Sequence, residues 1–116
     1  VIDLDILRPE PRVIKIGGKE IDVSFIPCGI TFDLDSIVQE LIGLDREKVQ
    51  TDPVEMRRAF ELGVKLCAIF CQHKYPEMDE DWFKNNANAG QVNGFTTAIQ
   101  QALMQAYQGV TEHSKN

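Results

Sequence analysis

Two consecutive glycines, Gly17 and Gly18, stand between short runs rich in Ile and Val, and no other stretch restricts the fold so sharply. A two-residue turn between paired strands needs positive φ angles, which glycine adopts without steric cost. Residues 12–27 therefore read as a β-hairpin. Pairing Ile16 with Lys19 sets Ile14 against Ile21 and Arg12 against Val23 on one face, with Lys15 against Glu20 and Val13 against Asp22 on the other. Ile14, Ile16, Ile21, Val23 and Phe25 then make one apolar stripe that another element must cover. Ahead of it, residues 1–11 alternate Ile2, Leu4 and Ile6 with Asp3 and Asp5 and contain Pro9 and Pro11, which predicts an extended arm able to add a third strand.

Beyond the hairpin the apolar period changes from two to about 3.6, the mark of helices. Thr31 or Asp33 offers a cap for a first helix, in which Leu34, Ile37, Val38, Leu41 and Ile42 form a stripe and Gly43 supplies a left-handed stop. Leu44 to Gln50 is charged and reads as a solvated connection with room for a turn of helix. Asp52-Pro53-Val54-Glu55 has the form of a capping box, starting a longer helix that Tyr75-Pro76 ends near Lys74. Its apolar positions, Val54, Ala59, Phe60, Val64, Cys67, Ile69, Phe70 and Cys71, span more of the helix surface than one neighbour needs. Asp79 caps a short helix from Glu80 to about Ala87 that carries Trp82 and Phe83. After a polar break, Asn93 caps a final helix in which Phe95, Ala98, Ile99, Ala102, Leu103, Ala106 and Tyr107 keep helical spacing until Gly109. The fold class expected is α+β, an N-terminal β-hairpin packed on a bundle of about four helices. Residues 1–11 are its arm, 12–109 a single domain and 110–116 a flexible tail.

At 116 residues the chain suits one core. Its 12 Lys and Arg against 18 Asp and Glu, a formal charge of −6, disfavour nucleic acid or an anionic membrane surface as partner. No stretch has the roughly 20 apolar residues a membrane-crossing helix needs. Three cysteines, an odd number, and no secretory pattern at the start fit a reducing cytoplasm.

Chemistry is hard to assemble from these residues. Cys67 and Cys71 share a helix face, but His73 points away from it and no fourth ligand stands nearby, so a zinc site is not expected. Neither His73 nor His113 is placed to activate a nucleophile, and the carboxylates fall at helix starts and solvated faces. Gly17-Gly18 lacks the spacing and lysine of a phosphate loop. The reading is of a non-enzyme with neither metal nor cofactor.

The strand pair Val13-Ile14-Lys15-Ile16-Gly17-Gly18-Lys19-Glu20-Ile21, the helical middle, Asp81-Trp82-Phe83-Lys84-Asn85-Asn86 and Ala98-Ile99-Gln100-Gln101-Ala102-Leu103 follow one another in an order that resembles the tail assembly chaperones of long-tailed bacteriophages. Members of that family often carry an I-x-G-K-E hairpin and a tryptophan-led short helix before a closing amphipathic helix. The resemblance implies a non-catalytic protein of the host bacterial cytoplasm, phage- or prophage-encoded. Such a protein holds the largely helical tape measure protein in soluble form and helps recruit tail tube subunits. It also implies a longer, frameshifted form of a fraction of the chains. Binding of that kind needs apolar area beyond what the core consumes, and the candidates are Phe60, Val64, Phe70, Trp82, Phe83, Phe95, Ile99, Leu103 and Tyr107. Self-association into dimers or rings is a further use of the same area. The alternatives are another phage structural or adaptor protein, such as a tail completion protein, a small interaction module, and last a small enzyme.

Overall fold

The hairpin forms in the expected register. In the computed structural model, which describes the backbone of residues 1–114 and the side chains of residues 1–106, β1 (Val13–Ile16) runs antiparallel to β2 (Lys19–Asp22). Val13 stands opposite Asp22, Ile14 opposite Ile21, Lys15 opposite Glu20 and Ile16 opposite Lys19. Gly17 and Gly18 take φ of 57° and 78°, the left-handed geometry that the turn requires. Ile16, Ile21 and Val23 enter the core and Ile14 is half-buried, but Phe25 lies beyond the strand and stays exposed. Among the described residues the sheet has these two strands. The arm, expected as an extended strand, instead makes a single 3-10 turn over Leu4–Leu7, started by Asp3, whose carboxylate accepts from the Asp5 N–H. Short-range capping thus outcompetes strand addition there.

Five helices follow. α1 (Cys28–Ile42) begins earlier than Thr31, at a Pro27 cap that offers no side-chain acceptor; the Thr31 hydroxyl donates back to the Pro27 carbonyl. Gly43 ends α1 at φ −72°, so no left-handed stop is used. The charged connection is itself a helix, α2 (Arg46–Thr51), because the Asp45 carboxylate caps the Glu47 and Lys48 amides. That makes five helices where about four were expected. α3 (Pro53–Gln72) starts as expected, with the Asp52 carboxylate accepting from Val54 N–H. The box is only half made, since the Asp52 N–H donates to the Lys48 carbonyl, 2.7 Å away, and welds α2 to α3.

α4 (Glu80–Asn86) is capped by Asp79, whose carboxylate accepts from Trp82 N–H. α5 (Ala89–Ser114) starts ahead of Asn93. The Asn88 and Gln91 side chains each accept the other's backbone N–H at 2.9 Å, a reciprocal cap that the polar break concealed. The helix also continues through Gly109, so most of the tail expected over 110–116 is helical; residues 115 and 116 lie outside the described residues.

α3 is the axis of the domain and packs against each of the other four helices. Four neighbours explain its wide apolar surface, with Val64, Leu66, Cys67, Phe70 and Cys71 all fully buried. At its crossing with α5, a Cβ on Gly63 would come within 3.1 Å of the Thr96 hydroxyl, which donates to the Gly63 carbonyl. Glycine therefore sets how closely these two helices approach.

The hairpin is pinned to the α3–α4 corner by its turn and its second strand. Trp82 lies against Gly17, the Lys19 ammonium reaches Glu77 at 2.6 Å, and the Tyr75 hydroxyl donates to the Glu20 carbonyl. The Lys19 hydrogen bond holds the Glu77 carboxyl below its ordinary 4.5 in the folded chain. At Asp22 burial raises the pKa, but donation from the Ser24 hydroxyl, the Arg12 and Ser24 amides and the charge of Arg8 outweigh it and hold it below 3.8. Both folded carboxylates therefore bind fewer protons than the unfolded chain does. Their stabilisation is present above those ordinary values and fades as pH falls through the lower folded ones. Thermal midpoints should be flat above pH 4.5 from this source and decline below it. Glu77→Gln should make that acid decline shallower; an unchanged decline would remove the Lys19 pair from the account.

Candidate functional site

Most of the aromatic and aliphatic candidates are interior. Val64, Phe70, Phe83, Phe95, Ile99 and Leu103 all have relative exposures of 4% or less, and none presents surface in the lone chain. Their helical stripes are satisfied by one another: Phe70 meets Phe95 edge-on at 6.1 Å, and Phe95 meets Phe83 at 6.2 Å. Phe60 and Trp82 are half-buried, with Trp82 edge-on to Phe83 and against the hairpin turn. The side chain of Tyr107 lies outside the described residues.

Exposed apolar side chains lie elsewhere; Val13, Phe32, Ile42, Val54, Met56 and Met104 are spread over the hairpin and helices, and the rest are on or near the arm. Val1, Ile2, Leu4, Ile6 and Leu7 on the arm all exceed 45% exposure, and Phe25 is exposed just past the hairpin. Of these, Leu4, Ile6, Leu7 and Phe25 line one groove. Leu4, Ile6, Leu7 and Pro9 of the arm, Phe25 and Ile26 after the hairpin, and Ala102 and Ala106 of α5 line this groove of about 610 Å³, with Asp5, Arg8, Ser24 and Gln105 among them. Two contacts hold the arm near the body: the Arg8 guanidinium stacks over the Phe25 ring at 4.2 Å, and Arg12, next to the strand, donates to Gln101 of α5 at 3.2 Å. Small alanines on α5 open the groove, and the prolines keep the arm from folding into it as regular structure. The sequence signal for this site was an apolar arm bounded by Pro9 and Pro11, whose Ile2, Leu4 and Ile6 had no partner strand.

A second hollow, of about 420 Å³, lies where the end of α1 meets α2 and the start of α3. Glu40, Asp45, Lys48, Glu55 and Arg58 line it, with both signs of charge interspersed. Among the described residues, no three His, Cys, Asp or Glu side chains gather where they could hold a metal ion.

The thiols of α3 are suited to packing rather than nucleophilic work. Burial pushes Cys67 up to about 12, and burial together with the nearby Cys67 pushes Cys71 higher still. Cys67 Sγ rests 3.6 Å from the Thr96 hydroxyl, inside the α3–α5 contact. Since the thiolate is the reactive form, native protein at neutral pH should take one equivalent of iodoacetamide, on exposed Cys28, and all three only when unfolded. Rapid native labelling of Cys67 or Cys71 by mass spectrometry would contradict this burial.

His73 stands at the end of α3 with its ring edge-on to Phe70 at 5.7 Å. No helix among the described residues is long and apolar enough to cross a membrane. In comparisons with known proteins, no family model, curated sequence or solved structure matches the chain.

Proposed function

We propose that the chain is a non-catalytic binding protein of the phage tail assembly chaperone kind, which holds an amphipathic helix of the tape measure protein in the groove between its arm and α5. The observation that carries this reading is the groove itself. Contiguous apolar side chains left open beside a charged surface mark a place where another polypeptide sits. An amphipathic helix docks in such a groove through anchors at i, i+3, i+4 and i+7, and the tape measure proteins of the family that the chain resembles are long and largely helical. The order of hairpin, tryptophan-bearing short helix and closing amphipathic helix supports the same kinship. Recruitment of tail tube subunits belongs to the reading as the second half of such a chaperone's work.

Co-expression with the tape measure protein encoded in the same genome tests it. That protein should become soluble and co-purify with the chain, and Phe25→Asp combined with Leu7→Asp, both at exposed positions, should abolish the complex while leaving the fold intact. A tape measure protein that stays insoluble, or binds the double variant equally well, overturns the proposal.

A further inference from the structure

Arg12 is where the arm meets the body. Among the described residues, the hydrogen bonds of residues 1–11 stay within the arm, the Asp5 N–H donating to Asp3 and the Arg8 N–H to the Asp5 carbonyl. Arg12 is the first residue to bond outside it. Its carbonyl accepts from the Val23 N–H at 2.9 Å, and its guanidinium donates to Gln101 of α5 at 3.2 Å. The antiparallel ladder would give the Arg12 N–H to the Val23 carbonyl in return. It goes instead to the side chain of Asp22, reaching Oδ1 at 3.1 Å.

The same Asp22 oxygen takes the Ser24 N–H at 2.9 Å and the Ser24 hydroxyl at 2.6 Å. One atom thus bridges the chain entering the hairpin and the chain leaving it. Strand pairing does not call for this. Glu20, on the same face of β2, stands exposed, whereas Asp22 is half-buried among its donors. Hydrogen bonds to an ionised carboxylate are also stronger than those between neutral groups.

The bridge lies at the end of the hairpin from which the groove opens. Phe25 follows Ser24 directly, and the Arg8 guanidinium, four residues before Arg12, stacks over its ring. Both arm and Phe25 segment line the groove, while Asp22 is outside the lining and acts on it through Arg12 and Ser24.

We propose that Asp22 is the positioning residue of the groove, clasping the root of the arm to the segment that carries Phe25 and so fixing the span a partner helix enters. Its importance for binding rests on the chaperone reading, but the clasp itself belongs to the free chain. An arm released from it must be ordered again at every binding event, at an entropic cost.

Amide exchange and relaxation measured by NMR on the full chain, with no partner present, test the clasp. The Arg12 and Ser24 amides should exchange at least about tenfold faster in Asp22→Ala than in the wild type. Asp22→Asn should restore slow exchange, because its side-chain oxygen accepts the same donors. Backbone order parameters at Arg8, Glu10 and Phe25 should stay near about 0.85 in the wild type and Asp22→Asn and fall below about 0.6 in Asp22→Ala. The paired amides of Ile14 and Ile21 should remain protected in all three chains, which shows the hairpin intact. Unchanged exchange or order in Asp22→Ala, or an Asp22→Asn chain as loose as Asp22→Ala, would overturn the proposal. So would loss of protection at Ile14 and Ile21, since Asp22 would then support the whole hairpin rather than the arm.

Binding separates the two readings. Asp22→Ala should bind the tape measure protein about tenfold more weakly than the wild type, and equal binding would remove the positioning role. A clasp that behaves as described in a wild type that binds no tape measure protein supports the clasp and overturns the chaperone reading alone.

Discussion

Phe70→Ala should cost about 3–5 kcal/mol, the largest single loss expected in this chain. Phe70 is fully buried on α3, edge-on to Phe95, and truncation leaves a cavity at the point where α3 meets α5. Domains of this size hold about 5–15 kcal/mol in total, so the variant should be partly unfolded at physiological temperature. Denaturant melts will measure it, with the midpoint falling and the slope unchanged. Phe32→Ala is the matched comparison. Phe32 is 83% exposed, and its loss should move stability by no more than about 0.5 kcal/mol. Equal losses at the two sites would mean that the division of apolar residues into core and surface is wrong.

Gly17→Ala should be the next most damaging change, for two separable reasons. The left-handed φ costs any residue with a Cβ roughly 1–2 kcal/mol. The new Cβ would also lie 2.7 Å from the far edge of the Trp82 indole, so the ring must leave its seat, adding about 1–3 kcal/mol of overpacking. Gly18→Ala isolates the first effect, because φ is positive there but nothing lies within 4 Å. Trp82 is the only tryptophan, which makes its fluorescence a direct report. Emission should shift to longer wavelength in Gly17→Ala as the indole becomes wetter, and stay unchanged in Gly18→Ala. Identical spectra and stabilities for the two variants would place Trp82 away from the turn.

What could be read from the residues alone was whatever local chemistry dictates. Gly17-Gly18 admits few conformations, so the turn and every strand pair followed from it. Asp52-Pro53 and Asp79 determined two helix starts for the same reason. The misreadings occurred where two local signals competed. Asn88 and Asn93 both offer caps, and the reciprocal bond with Gln91 decides for Asn88. Asp45 looked like part of a solvated linker until its carboxylate capped α2.

The site was less legible than the fold, because an apolar stripe has the same pattern whether it is covered by the chain itself or by a partner. Phe95, Ile99 and Leu103 are covered by α3 and its neighbours, and only tertiary structure reveals that. Ile2, Leu4 and Ile6 read as one face of a strand, yet no sheet edge pairs with them, and Leu4 and Ile6 line the groove instead. Phe25, expected inside, is separated from the core because β2 ends at Asp22, where the Asp22 carboxylate takes the Ser24 hydroxyl and amide and turns the chain away.

The central claim is that the arm and α5 together receive a partner's helix, and amide hydrogen exchange on the purified chain, alone and with the tape measure protein, tests it most directly. The account expects slowed exchange in the complex over Leu4–Leu7, Ser24–Ile26 and Ala102–Ala106, the three segments that line the groove. A complex that leaves these amides exchanging as fast as in the free chain, with protection confined to α1 or α2, would contradict it.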